Sequence, residues 1–501
     1  MRIGSIAVAV ALFSAVQARA ETPVERAANT VDQAIPKDDC KAGLPAARVL
    51  FADPRFGSLA NDQKLRLLSF AANCALRLKT PEEAYADVRA ATKLAKADDW
   101  LWTTRIELAI ELNRPDDVVE AVQSLTMVSP SALNAVDPQF FYRFRRDETA
   151  AGRAAEVKHV FAMLEKVGYA PSDPIQSPDG VWWDYARLVD SDGDTAHAAA
   201  LISRIGDIKS LMAISFDPQF GPIVASEPDH FDLRAAQERQ LQRDEAAMKV
   251  SPDLLQLVIR TIRDLRALGR FDDALALDQS TIDRASRDSK DALGFRDLDR
   301  WLNWAMEAKA DILFELGRED EALEIERAAA KVSEGGHPNV SQVINLAEHL
   351  EADRRAPEAL DTLRVFDSGR AVSPFGAGWI HAERACAGQQ LGHNTEVATE
   401  LAYLDDHATD NPLARIKAYL CVNDTDGAAQ AVIAELHDPN RRLQGLISLS
   451  EFDLRASLLP LEAERLARLK EVGARPDVKA AIAAAGGIQH IHLSRDVFVD
   501  D

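Results

Sequence analysis

One short phrase recurs along this sequence and limits the folds that the chain can adopt. In each copy an apolar helix end is followed by Gly or Asn, one to three polar residues, acids and then a small residue. The clearest copies are residues 268–275 (LGRFDDAL) and 316–323 (LGREDEAL). Weaker copies begin at Lys79, Asn113, Gly152, Gly193, Arg354, Gly392 and Asn423. With the 76-residue gap counted as two, the mean interval is about 38 residues, the period of a helix–turn–helix repeat.

Each part of the phrase has a physical reason. Gly or Asn tolerates the left-handed conformation that ends a helix, and acids after the turn lie at the positive end of the next helix dipole. The small residue lets two helices approach closely. Local signals agree: Ser251 and Pro252 predict a helix start, and an apolar stripe from Leu254 ends at Gly269. Thr80 and the acids after it predict a capping box at the start of another helix.

The same copies place bulky residues eleven positions before the turn. Three of these residues are aromatic: Trp102, Phe141 and Trp182. Ala274 and Ala322 supply the small residue of the second helix. In these features the chain resembles the tetratricopeptide-repeat (TPR) family over roughly residues 60–470. The resemblance implies an all-α fold, an α-solenoid of antiparallel helix pairs.

The repeats and the segments between them suggest an organisation in two arrays. The expected parts are a signal peptide (1–20), an N-terminal helical segment (21–59), array 1 (60–235), a charged connector (236–249), array 2 (250–473) and a C-terminal helix with a strand-like tail (474–501). After Gly486 and Gly487 the chain alternates loosely between apolar and polar residues, which predicts a strand. This tail is either an edge-pairing peptide or a segment docked on the last helices.

The first twenty residues have the three-part order of a secretory signal. Arg2 supplies the positive start, residues 3–16 are mostly apolar, and Ala18 and Ala20 frame a cleavage site before Glu21. No later segment is long and apolar enough to be transmembrane. We expect a soluble exported protein, periplasmic or secreted. The net charge of −22 argues against partners with phosphate backbones, so nucleic acid is not an expected partner.

The four cysteines fit an oxidising compartment. They are Cys40, Cys74, Cys386 and Cys421, and none has the spacing of a zinc site. Cys386 and Cys421 stand toward the ends of first helices in successive repeats, which are neighbours in a solenoid. We therefore predict the pairs Cys386–Cys421 and Cys40–Cys74. The alternative is four unpaired thiols buried between helices.

The sequence offers little catalytic chemistry. It contains no HExxH, GxSxG, GxGxxG, phosphate-loop or calcium-loop pattern, and the acids at 190–194 best fit a capped turn. Asp405, Asp406, His407 and Asp410 could ligate a metal, but they lie where a second helix ends and polar residues are expected anyway. His490 and His492 would lie on one face of a strand, but two imidazoles need further ligands from elsewhere. We predict no catalytic residues, no cofactor and no metal.

The resemblance to TPR proteins also implies where a partner binds. Positions thirteen, ten and six before each turn line the inner surface in that family. Aromatic residues at these positions are Trp100, Tyr142, Trp183, Trp304 and Trp379, and cationic ones are Arg146, Arg187, Arg263 and Lys417. Aromatic residues with Arg are typical interface anchors, and a cationic groove favours an acidic ligand. The alternative is that the Trp residues fill the core between helices.

Together these features favour a non-enzymatic scaffold or adaptor. Its partner would be a protein or an extended peptide held in a concave groove. The alternative is an enzyme or glycan-binding protein on a helical toroid, in which Trp stacks on sugars and buried acids act. A glycoside hydrolase would need two carboxyl groups about 5–10 Å apart across a pocket.

Overall fold

The computed structural model describes residues 22–287, 294–334, 336–453 and 458–498. The predicted signal peptide lies outside the described residues. Backbone contacts divide the chain into two compact units, one ending at Arg204 and the other beginning at Ile205. We call them the N-terminal unit and the C-terminal unit and describe each by itself.

Helices build the described part of the N-terminal unit. They are α1 (Pro23–Ala34), α2 (Cys40–Ala52), α3 (Asn61–Arg77), α4 (Pro81–Ala91), α5 (Asp99–Glu111), α6 (Pro115–Val128), α7 (Pro138–Ala150), α8 (Ala154–Val167), α9 (Asp179–Asp190) and α10 (Thr195–Ile202). Helices α3 and α4, α5 and α6, α7 and α8, and α9 and α10 form pairs, and α5, α7 and α9 lie side by side. In every pair the helix before the turn is called the first helix below.

The C-terminal unit continues the same pattern. Its helices are α11 (Ile208–Phe216), α12 (Gly221–Ser226), α13 (Leu233–Val250), α14 (Leu255–Ala267), α15 (Phe271–Arg287), α16 (Leu298–Glu315), α17 (Glu319–Ala329), α18 (Ser341–Ala352), α19 (Ala356–Leu363), α20 (Pro374–Leu391), α21 (Asn394–Asp406), α22 (Pro412–Cys421), α23 (Thr425–His437), α24 (Arg442–Leu449), α25 (Pro460–Ala474) and α26 (Pro476–Ala485). Five pairs run from α14 to α23, and the predicted α-solenoid of helix pairs is confirmed.

The predicted turn residues are left-handed in every copy of the phrase. Their φ angles are 58° at Lys79, 54° at Asn113, 76° at Gly152, 88° at Gly193, 72° at Gly269, 70° at Gly317, 60° at Arg354, 72° at Gly392 and 59° at Asn423. At Gly269 the amide of Arg270 donates to the Leu265 carbonyl at 2.8 Å, which completes the helix-ending motif. The turn therefore keeps its geometry even where Lys or Arg replaces Gly.

The predicted packing positions are confirmed as well. Phe141, Trp182 and Trp102 are buried, with exposed fractions of 0%, 3% and 7%. Ala274 and Ala322 are fully buried in the second helices, where their small side chains let the pair close. The aromatic residue eleven positions before the turn thus belongs to the core of each pair.

Two predicted helix starts differ in detail from the structure. Helix α14 begins at Leu255 and not after Ser251, because the Asp297 carboxylate accepts from the amides of Leu255 and Gln256 at 2.8 and 3.1 Å. The cap comes from a residue about forty positions away, which local sequence does not reveal. At α4 the Thr80 hydroxyl donates to the Ala75 carbonyl, so the expected capping box does not form.

The segment predicted to connect the two arrays lies within α13. This helix packs against α14, where Gln237 donates to Asp264 at 2.7 Å and Arg260 donates to Asp244 at 2.9 Å. Of the charged residues in this segment, Asp244 is the one that these contacts use. The bounds of the two arrays stay a prediction.

The strand-like tail is confirmed. Strand β2 (His490–Ser494) pairs in parallel with β1 (Glu451–Asp453), and the register shifts between Phe452 and Asp453. Ile491 and Leu493 are buried, and the Phe452 and Phe498 rings stack with centroids 6.1 Å apart. The tail is therefore docked on its own unit.

Both predicted cysteine pairs are at disulfide distance. The Cα atoms of Cys40 and Cys74 lie 5.0 Å apart and join α2 to α3, and those of Cys386 and Cys421 lie 5.1 Å apart and join α20 to α22. Such distances suit a disulfide without backbone movement. Among the described residues, every helix is too short or too polar to cross a membrane.

Candidate functional site

A cavity of about 250 Å³ opens within the C-terminal unit. The first helices α14, α16, α18, α20 and α22 contribute to its lining, and α24, α25 and the tail supply the rest. Its cationic residues are Arg263, Arg266, His349, Lys417, Arg465 and Arg495, and its acidic residues are Glu307, Asp311, Glu348 and Glu462. We call it the C-terminal cavity. Charges of both signs face one partly open cavity.

Lys417 occupies the α22 side of this cavity. Its ammonium group donates to Glu383 at 2.6 Å, forms an ion pair with Glu348, and lies 5.6 Å from the centre of the Trp379 ring. Burial opposes the charged form of Lys417, but Glu348 and Glu383 outweigh this effect and raise its pKa. Lys417 was predicted to offer a positive charge to a ligand. In the structure its ammonium group already forms ion pairs with Glu348 and Glu383.

Two arginines one helical turn apart lie on the α14 side. Arg266 donates to the buried Glu315 carboxylate at 3.1 Å and to Asp311 at 2.8 Å. Burial, followed by repulsion from Arg266, lowers the pKa of Arg263, although a guanidinium stays protonated in proteins. Asp311, Asp264 and Glu307 act on the pKa of Arg263 in the opposite direction to burial and Arg266.

Glu307 presents a carboxyl group from α16. The side-chain amides of Gln342 and Asn345 on α18 donate to its two oxygens, and Asn303 orients Gln342 through a bond of 2.7 Å. Burial, with a further contribution from Asp311, raises the pKa of Glu307. A proton is therefore held on this carboxyl group more strongly than on an ordinary glutamate.

His349 lies on the same side of α18. Its ring stacks on Phe314 with centroids 4.2 Å apart, and Nδ1 lies 2.6 Å from the Glu326 carboxylate. Burial alone would lower the pKa of His349, but the charge of Glu326 outweighs burial and raises the pKa to about 9. The imidazolium is thus charged at neutral pH.

The structure places the predicted binding residues in different surroundings. Arg263, Trp379 and Lys417 line the C-terminal cavity, whereas Trp304 is half-buried on α16 and does not belong to the lining. The remaining predicted residues belong to first helices of the N-terminal unit: Trp100, Tyr142, Arg146, Trp183 and Arg187. That all of them contact a partner stays a prediction.

In the N-terminal unit these side chains are accessible to different degrees. Trp100 is 40% exposed, Tyr142 and Trp183 are half-buried, and Arg146 and Arg187 are exposed. The Arg187 guanidinium lies 5.8 Å from the centre of the Trp183 ring, a cation–π distance. The neighbouring aromatics Trp102 and Trp182 are buried, so the inward and core positions of each helix are distinct.

Several cavity residues were not found from the sequence. Glu307 and Asp311 stand ten and six positions before the turn at Gly317, but from the sequence we selected only aromatic and cationic residues at such positions. Arg465 and Arg495 come from α25 and the tail, beyond the helix pairs. Only the tertiary structure brings these segments to the cavity.

The weak candidates for metal chemistry have different outcomes. Asp405 accepts from Arg415 at 2.8 Å and from Tyr419 at 2.7 Å, so ordinary side-chain contacts use this acid. The acids at 190–194 form the expected capped turn, in which Asp194 accepts from the His197 amide. His490 and His492 lie close to the Asp453 carboxylate on the neighbouring strand.

Comparisons with known proteins give no activity and no partner for this chain. No family model matches the chain, and no curated protein matches it. Among solved structures, the APC/C hetero-tetramer Cut9–Hcn1 is similar at 9% identity and a TM-score of 0.30, with 92% of this chain and 96% of that chain covered. A structure of Naa15/Naa10 bound to HypK-THB is similar at 13% identity and a TM-score of 0.25, with 93% and 78% covered.

The fold is TPR-like. The helix pairs, the left-handed turns between them and the side-by-side first helices carry this assignment. The two likenesses are too distant to transfer any partner or activity to this chain.

Proposed function

We propose that the protein is an exported, non-enzymatic scaffold that binds a protein or an extended peptide. The C-terminal cavity is the main site, and it is the observation that carries the proposal. Its lining comes from five consecutive first helices, the surface that repeat proteins use for partners. Trp379 supplies aromatic contact area, and the charged groups supply direction and register.

The arrangement of charges indicates the kind of peptide. Arg263 favours a carboxylate of the ligand, while Glu307 and Asp311 on α16 suit backbone amides or a cationic side chain. A buried charge of the site needs an opposite charge on the ligand. Such pairs add little net affinity, but a ligand without the matching charge is rejected, so the site discriminates between peptide sequences. A segment with both an acidic and a basic residue is the ligand that this lining accommodates best.

Tyr142, Arg146, Trp183 and Arg187 form a second contact surface in this proposal. They stand at equivalent places on α7 and α9 of the N-terminal unit. Replacing Trp183 and Arg187 together by Ala is expected to weaken partner capture and to leave the melting temperature nearly unchanged. A loss of several degrees would instead assign Trp183 to the core.

Export is the second part of the proposal. The two cysteine pairs at disulfide distance support an oxidising compartment, in agreement with the order of residues 1–20. N-terminal sequencing of the protein recovered from cells tests it directly. We expect Glu21 at the N-terminus, and Met1 there would contradict export.

Site-specific photo-crosslinking tests the binding site. A photoreactive residue at Leu413, in the cavity lining, is expected to give one dominant adduct in intact cells. The same residue at Met127, which is 74% exposed, is the matched control. Arg263→Glu should abolish the adduct, whereas the same change at the exposed Arg364 should not. Equal crosslinking from Leu413 and Met127 would contradict the proposal.

One observation favours the alternative of a glycan-active protein. Burial raises the pKa of Glu307, whereas Lys417 overcomes burial and lowers the pKa of Glu348 in the same cavity. Two carboxyl groups whose pKa values are shifted in opposite directions, with Trp379 in the same lining, resemble an acid–base arrangement. Release of reducing ends from envelope glycans by the purified protein, abolished in Glu307→Gln, would establish this function and exclude a purely non-enzymatic role.

A further inference from the structure

Two histidines and a carboxylate meet on the surface of the strand pair. The ligand atoms of Asp453, His490 and His492 all lie within 4.8 Å of one another. Asp453 Oδ1 lies 3.8 Å from His490 Nε2 and 3.6 Å from His492 Nδ1. All three side chains are exposed, with fractions of 51%, 49% and 69% in that order.

The local sequence explains this convergence. In β2 the alternation buries Ile491 and Leu493 and turns both His490 and His492 to the solvent side. Strand β1 runs in parallel beside it, and its register shifts just before Asp453. The third ligand therefore comes from a strand almost forty residues earlier in the chain.

A second carboxylate orients one of the imidazoles. Glu451 Oε2 lies 3.2 Å from His490 Nδ1, on the opposite side of the ring from Asp453. When His490 Nδ1 carries the proton and donates to Glu451, Nε2 is left as a free lone pair toward Asp453 and His492. Metal-binding histidines are commonly held in this way, with the other ring nitrogen donating to a carboxylate. This observation is independent of the clustering itself.

We propose that Asp453, His490 and His492 bind a divalent transition metal ion, Zn²⁺ in the first instance. His490 Nε2, His492 Nδ1 and Asp453 Oδ1 are the protein ligands, and Glu451 is a positioning residue. Tetrahedral Zn²⁺ with bonds of about 2.0–2.1 Å separates its ligand atoms by about 3.3–3.4 Å. The distances of 3.6 and 3.8 Å from Asp453 need only a few tenths of an ångström of adjustment. The ligand nitrogens of the two imidazoles lie within 4.8 Å of each other, and rotation of these exposed side chains brings them closer.

The donor set selects the class of metal. Imidazole suits Zn²⁺, Cu²⁺ and Ni²⁺, whereas Mg²⁺ and Ca²⁺ prefer sites made only of oxygen. Three protein ligands leave the fourth tetrahedral position to water or to a donor from a partner. At this place in the sequence our expectation of no metal considered only the two histidines, and the strand pairing supplies the third ligand, Asp453.

Metal binding here would also act on the C-terminal cavity. The ion would join β2 to β1, and Arg495 and Val497, which follow β2 directly, line the cavity. A bound ion therefore fixes the segment that supplies one side of the cavity. Binding of the metal itself is nevertheless independent of the proposed scaffold function and is tested without a partner.

Titration of the metal-free, full-length mature protein with Zn²⁺ tests the site. We expect one equivalent bound in competition with a chromophoric chelator, and Co²⁺ should give the visible absorption bands of a tetrahedral ion. His490→Ala with His492→Ala should abolish both signals. His393→Ala with His437→Ala, two exposed histidines outside the cluster, is the matched control and should retain them.

Single substitutions separate the roles of the two carboxylates. Asp453→Asn should weaken Zn²⁺ binding more than Glu451→Gln, for which we expect a loss of about tenfold or more. Circular dichroism of each variant should match that of the wild type, because the replaced side chains are exposed. Failure to bind one equivalent, or equal binding by the His490/His492 double variant, would show that the cluster is an ion-pair network only and would overturn the proposal.

Discussion

Arg465 on α25 donates to Glu351 on α18 at 2.6 Å, across 114 residues of sequence. Glu351 is 1% exposed, and Gln390 also donates to it, at 2.9 Å. Because Arg465 lines the C-terminal cavity, this ion pair connects a wall of the cavity to the helix pairs. The buried Glu351 carboxylate needs a positive charge beside it, and Arg465 supplies that charge. The ion pair therefore holds α25 against α18.

Removing Arg465 is expected to destabilise the C-terminal unit strongly. In Arg465→Ala the Glu351 carboxylate stays buried with only the amide of Gln390, and loss of one partner of a buried pair costs about 3–5 kcal/mol. Arg354→Ala is the matched control. Arg354 pairs with Glu464, which lies on α25 next to Arg465, but the side chains of this pair are about half exposed. Arg354→Ala should lower the free energy of unfolding by only about 0–1 kcal/mol. Hydrogen exchange in α25 should increase only in Arg465→Ala, and similar exchange in both variants would contradict this role.

The left-handed turns give opposite predictions at two equivalent positions. Lys79 has φ of 58° and an exposed side chain, so Lys79→Gly should stabilise the N-terminal unit by about 0.5–1 kcal/mol through relief of strain. Gly269 has φ of 72° and open space around an added Cβ, so Gly269→Ala should destabilise the C-terminal unit by about 1 kcal/mol. Urea unfolding checks both, and changes of the same sign would contradict the backbone explanation.

These turns show how far the sequence determines the fold. Gly, Asn and the acids after them are local signals, so the turn positions, the helix pairs and the buried aromatic residues could all be predicted. Two features could not be predicted, because they depend on tertiary contacts: Asp297 caps α14, and Arg465 lines the C-terminal cavity. The same limit applies to the metal ligands, because the sequence reveals His490 and His492 but not their pairing with Asp453.

The two cysteine pairs should stabilise their own units. Each closes a loop of 34 or 35 residues, which the chain-entropy model values at about 3–4 kcal/mol. Replacing Cys386 and Cys421 by Ser should lower the stability of the C-terminal unit by this amount. Replacing Cys40 and Cys74 by Ser should lower the stability of the N-terminal unit by the same amount. Reductant should destabilise the wild type but not the variant that lacks all four. Four alkylatable thiols in protein isolated from cells would contradict both bridges.

The His349–Glu326 pair should make stability fall with rising pH. The pKa of His349 is raised from 6.5 to about 9 in the folded state, so its stabilising charge is fully present below about pH 6.5 and is lost as the pH rises through 9. Burial also raises the pKa of Glu326, which acts in the same direction.

The shift of His349 corresponds to roughly 3 kcal/mol between pH 6.5 and 9. A double variant, His349→Gln with Glu326→Gln, keeps the shape of the pair and removes both titrations. The free energy of unfolding should therefore decline more steeply with pH in the wild type than in this variant over that window. Glu383, a buried acid whose raised pKa does not depend on His349 or Glu326, titrates in both proteins and cancels in the comparison. Parallel stability curves would show that the imidazolium of His349 does not contribute to folding.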